Sequence, residues 1–137
     1  MGESLTDFLM EKDMAYLKDL LDRYNIPTQH DDTKPQIVND IELHMRSKDF
    51  HEEAEEKLVR DMLLVLDILV SNDNKMGSEK LKEQFLSRKE AKENFDPLLM
   101  RMEALGLIFE QEGDDDKKIV LPKEFTLWIE RYVGKNL

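Results

Sequence analysis

Apolar residues recur three and four positions apart along most of this chain, and that spacing constrains the fold more than any other feature. It paints one face of an α-helix, whereas two-residue alternation is confined to one short stretch near the C-terminus. The expected class is mainly α with a small β-hairpin. Met14, Leu17, Leu20, Leu21 and Tyr24 share one helical face over residues 13–24, and that helix must stop near Asn25-Ile26-Pro27 because proline cannot continue it. The polar stretch 28–33 forms a turn. Pro35 suits the first turn of a second helix, whose buried face is Ile37, Val38, Ile41 and Met45.

From Ser47 to Lys57 the sequence becomes highly charged, and Glu52-Glu53-Ala54-Glu55-Glu56 offers helix formers with almost nothing to bury. This segment reads as a charged linker or the start of an exposed helix. Its apolar continuation, Leu58, Val59, Met62, Leu63, Leu66, Leu69 and Val70, reads as a core helix that ends at Ser71-Asn72-Asp73-Asn74. Ser78 is placed to cap a helix carrying Leu81, Phe85 and Leu86. A third carries Phe95, Leu98, Leu99, Met102 and Leu105 and is closed by Gly106. Residues 107–112 and 118–121 alternate as two strands of a hairpin around Gly113-Asp114-Asp115-Asp116-Lys117. Pro122 ends the second strand. Phe125, Leu127, Trp128, Ile129, Tyr132 and Val133 give a last helix an aromatic-rich face that closes the core. The expected organisation is a helical module over 1–50, a charged linker over 51–57 and a second domain over 58–137.

Composition narrows function. Twenty Lys and Arg against 31 Asp and Glu leave a net charge of −11, so bulk basicity cannot be how this chain meets a polyanion. With no cysteine there is no disulfide framework, thiol nucleophile or thiolate zinc site, which fits a reducing compartment. No apolar run approaches the roughly 20 residues of a membrane span; the best candidate, Met62 to Val70, is interrupted by Asp67. The start, Met1-Gly2-Glu3-Ser4-Leu5, lacks the basic and apolar regions of a secretory signal, and the expected location is cytoplasmic. Neither a Gly-x-Ser-x-Gly elbow nor a phosphate-cradling glycine loop is present, and the reading is non-enzymatic, with no cofactor. His30, His44 and His51 have no metal-ligand spacing and read as surface residues, with His30 beside Asp31 and Asp32 placed to titrate near neutral pH. The acidic tip 114–116 lacks the alternating oxygen pattern of a calcium loop.

Two segments resemble known families. Residues 16–27, followed by Thr33-Lys34-Pro35-Gln36-Ile37-Val38-Asn39-Asp40-Ile41, resemble a SAP-type helix-extended loop-helix module over about a quarter of the chain, with Lys34 in the position of the family's lysine. That resemblance implies DNA binding. In the loop, His30-Asp31-Asp32-Thr33 stands where the family has a glycine, and its two carboxylates repel phosphate. From about Leu58 onward the chain resembles a winged helix-turn-helix, most tellingly from Phe95 through Gly106-Leu107-Ile108. The resemblance implies that residues 90–101 form the helix that enters the major groove, with Asn94, Asp96, Pro97, Met100 and Arg101 on or near its exposed face, and that the hairpin is the wing. Only Asn94 and Arg101 of these suit base edges or phosphates.

One basic island opposes the acidic whole. Between Lys75 and Lys92 six cations, Lys75, Lys80, Lys82, Arg88, Lys89 and Lys92, face three anions, a local net of +3. Two functional readings follow. In the first, a DNA-associated regulator makes weak phosphate contacts through Lys34, Lys75, Lys80, Lys82, Arg88, Lys89, Lys92, Asn94 and Arg101. In the second, an acidic interaction module docks on a basic transcription or replication protein, or mimics DNA against it. Asp31, Asp32, Asp114, Asp115, Asp116 and the Glu52–Glu56 run are then its charged surface, with Pro97 and Met100 its apolar anchor. A homodimer through a long helix from Glu52 to Val70 also stays open.

Overall fold

The computed structural model describes residues 4–28, 33–88, 91–92, 94–112 and 117–137, and among them the chain is mainly helical with one small antiparallel sheet. It divides into two compact units, Met1–Lys57 and Leu58–Leu137.

In the first unit, α3 (Lys34–Met45) packs against α1 (Leu5–Glu11), α2 (Met14–Arg23) and α4 (Lys48–Lys57). Each helix start has a local cause. The Ser4 hydroxyl accepts from the Asp7 backbone N–H at 3.2 Å, and the Asp13 carboxylate accepts from Tyr16 N–H at 2.9 Å. Thr33 and Gln36 form a reciprocal capping box, in which Thr33 N–H donates to Gln36 Oε1 at 2.8 Å, and Pro35 occupies the first turn. After α2 the chain reverses through Asn25 at φ 52°, a left-handed position that asparagine tolerates. The buried faces are Leu17 and Leu20 of α2 and Ile37, Val38, Ile41 and Met45 of α3. α1 adds Leu5, Phe8 and Leu9.

The charged segment expected to have little to bury is α4, and Phe50 and Ala54, four residues apart, are both fully buried. Ser47 starts it: its hydroxyl donates to the His44 carbonyl and accepts from Phe50 N–H at 3.2 Å. The continuous helix expected from Glu52 to Val70 is absent. Residues 58 and 59 are non-helical, and Val59, at φ −91° and ψ 164°, is the N-cap of a new helix, so the proposed dimer surface has no single helix to carry it.

In the second unit, α5 (Arg60–Ser71) buries Met62 through Leu66, Ile68 and Leu69, and it packs against α6 (Ser78–Leu86), α7 (Phe95–Ala104) and α8 (Thr126–Asn136). The expected hairpin is β2 (Phe109–Gln111) with β3 (Lys118–Val120), and it gains a third strand, β1 (Lys75–Gly77), in the order β1-β3-β2. Met76 pairs with Ile119 on one edge of β3, and Glu110 pairs with Ile119 on the other. Asp73 and Asn74 at φ 61° and 69° turn the chain from α5 into β1. Ser78 is the first residue of α6 rather than its cap, and its N–H donates to the Lys117 carbonyl at 2.8 Å, tying the helix start to the sheet. Gly106 at φ 79° closes α7 in the left-handed conformation glycine adopts without strain. Phe125 is fully buried and meets Trp128 edge to face at 5.7 Å. No helix among the described residues is long and apolar enough to cross a membrane.

Candidate functional site

The basic island and the apolar anchor meet where α6 and α7 adjoin. α7 starts at Phe95, later than the helix expected over 90–101, because Pro97 fits only a first helical turn and Asn94 sits extended as its N-cap. Phe85 of α6 and Phe95 of α7 meet at a tilt, with ring centroids 5.6 Å apart, and join the two helices. Above them lies an open groove of about 450 Å³ lined by Lys82, Leu86, Asn94, Phe95, Asp96 and Pro97. Leu86 is 60% exposed and Met100, one turn along α7 from Asp96, is 71% exposed.

Ion pairs change what the cations can do. Lys82 Nζ lies 3.8 Å from Asp96 Oδ2 at the groove. Arg88 Nη2 lies 3.0 Å from Asp67 Oδ2, with each side chain about a third exposed (34% and 33%), so the guanidinium is held toward α5. A phosphate at either cation has a carboxylate to displace. Lys80 and Lys92 are exposed and make no ion pair among the described residues. The Lys92 backbone N–H donates at 2.9 Å to Asp61, a carboxylate only 4% exposed in the first turn of α5. That placement favours the anion, which faces the positive end of the helix.

Lys75 opens β1 opposite Val120 and is half-buried, and Asn94 and Arg101 are exposed on α7. Lys34 is the first residue of α3, half-buried, in the other unit. Lys117, beside the acidic tip, is paired with Glu110 at 3.6 Å. Lys89, His30, Asp31, Asp32, Asp114, Asp115 and Asp116 lie outside the described residues. No three His, Asp or Glu side chains among the described residues converge as a metal site.

Two of the histidines expected at the surface are partly covered. His44 and His51 are half-buried, with their Nε2 atoms buried, and both rings flank Phe50. The sequence carried no signal for this, because the cluster draws on three helices. Comparison with protein-family models, curated proteins and solved structures gives no match to this chain.

Proposed function

We propose that this chain is a non-enzymatic regulatory protein whose second unit is a winged helix that docks a transcription or replication protein through its α6–α7 face. The order α5-β1-α6-α7-β2-β3, with β1 beside β3, supports the winged-helix reading, and the α2-Pro27-α3 arrangement opened by Lys34 supports the SAP-like reading of the first unit. The observation that carries the docking reading is the exposed face of α7. Where a groove-reading helix needs donors for phosphates and bases, this one has Asn94 and Arg101 but sets Asp96, Pro97 and a 71% exposed Met100 between them, and Asp96 already holds Lys82. An exposed methionine beside a shallow groove suits an adaptable protein contact. The chain's charge of −11 favours a basic partner.

A second reading, direct DNA contact, is favoured by the net +3 of residues 75–92 and rests on Lys75, Lys80, Lys92 and Arg101, with Lys34 in the first unit. A photo-crosslinker at position 100 in cells separates the two. Under the docking reading it captures one discrete protein, Leu86→Asp removes the capture, and Lys80→Glu with Lys92→Glu leaves it intact. Crosslinking to DNA, or capture lost only with the lysine substitutions, overturns it.

A further inference from the structure

The exposed strip of α7 carries a thioether at its centre. Pro97, Met100 and Ala104 lie three and four residues apart, so they share one exposed face of the helix, and Leu86 of α6 stands exposed at the groove beside them. Met102, two residues further on, falls on the opposite face and is fully buried. The contrast extends to the rest of the chain. Met45, Met62 and Met76 are buried as well, none of them more than 8% exposed, Met14 is half-buried and Met10 is 40% exposed, against 71% for Met100. Among the described residues Met100 is the methionine most open to a soluble oxidant.

Hydrogen peroxide oxidises a thioether in one two-electron step. A lone pair on Sδ attacks one peroxide oxygen, the S–O bond forms as the O–O bond breaks, and the second oxygen leaves with both protons as water. Sulfur is oxidised, peroxide is reduced, and methionine sulfoxide reductases reverse the change. The product is polar and chiral where a flexible apolar side chain stood. Burying its oxygen against an apolar partner surface that offers no donor weakens binding. The fold itself is spared, because Met100 faces solvent while Phe95, Leu98, Leu99 and Met102 hold α7 in the core. With no cysteine in the chain, no thiol competes for the oxidant.

We infer that Met100 is a reversible oxidation switch on the α6–α7 face: as the thioether it anchors the docked protein, and as the sulfoxide it releases it. The switch rests on the docking reading of this face. Its selectivity follows from burial, with peroxide reaching Met100 before Met10 and Met10 before the four buried methionines.

The test treats the full purified chain with hydrogen peroxide, stops the reaction with catalase and maps sulfoxides by mass spectrometry of proteolytic peptides. Met100 is expected to oxidise faster than Met10, with Met45, Met62, Met76 and Met102 still reduced and Trp128 emission unchanged. A photo-crosslinker at Ala104, used in a cell lysate, then reads docking. Capture of one discrete protein by the reduced chain is expected to fall about tenfold after oxidation and to return after treatment with methionine sulfoxide reductases A and B. Met100→Gln should lose capture without any oxidant, and Met100→Leu, which keeps the apolar bulk without the sulfur, should hold it after peroxide. Oxidation of Met10 before Met100, capture unchanged by oxidation, or an equal loss in peroxide-treated Met100→Leu overturns the switch alone. No discrete capture by the reduced chain overturns the docking reading, and the switch with it.

Discussion

Arg88 Nη2 sits 3.0 Å from Asp67 Oδ2 and joins the segment just after α6 to α5 across 21 residues of sequence. This contact takes one cation of the basic island and makes it a tie to α5. Both side chains are about a third exposed, at 34% and 33%, so solvent screens the pair and Asp67→Asn is expected to cost about 0.5–1 kcal/mol. Urea unfolding of Asp67→Asn, Arg88→Met and the double variant checks it, with a coupling energy near zero as the contrary result.

Asp61 stands in a different regime. It is 4% exposed and accepts the Lys92 N–H at 2.9 Å. Asp61→Ala leaves that donor without its partner and removes an anion from the start of α5, and the expected loss is about 2–3 kcal/mol. Asp61→Asn keeps an acceptor and should lose about half as much. A loss below about 0.5 kcal/mol for the alanine variant would contradict the role.

Gly106 closes α7 at φ 79°, where a Cβ is disfavoured. Gly106→Ala is expected to destabilise the second unit by about 1 kcal/mol or more, read by Trp128 fluorescence during denaturation. A neutral or stabilising effect would mean that the turn relaxes.

Tyr24 gives the first unit an alkaline pH limit. Burial pushes its phenol well above the ordinary value of 10, helped by Glu53 and opposed by Arg23. With the folded pKa raised, stability is intact below pH 10 and is lost above it, as the unfolded chain gives up its proton first. Absorbance at the tyrosinate band and circular dichroism should therefore change together above pH 10 for the wild-type chain. Tyr24→Phe should retain helicity there.

The parts of this fold that were legible in the sequence are those with local causes. Pro27, Pro35 and the four-residue spacing of Ile37 and Ile41 define α2 and α3, and Gly106 marks the end of α7. What escaped depended on partners far along the chain. Lys75-Met76-Gly77 is too short to alternate visibly, and becomes a strand because Lys118-Ile119-Val120 lies beside it. The seven residues of α1 carry only Leu5, Phe8 and Leu9 as a face, and α4 hides a core position behind its glutamates because one phenylalanine and one alanine suffice. At the candidate site the cation count was visible, but the pairing of Lys82 with Asp96 and Arg88 with Asp67 was not, since each joins residues on different elements.

The docking reading stands or falls on what the α6–α7 face does to nucleic acid. Fluorescence anisotropy of labelled single- and double-stranded DNA against the full chain, at about 50 and 200 mM salt, spans the range in which phosphate contacts reveal themselves. The expected result is no binding at micromolar protein even at the lower salt. Micromolar or tighter binding that weakens steeply with salt, and is lost with Lys80→Glu and Lys92→Glu, would contradict the account and make the basic island a DNA site.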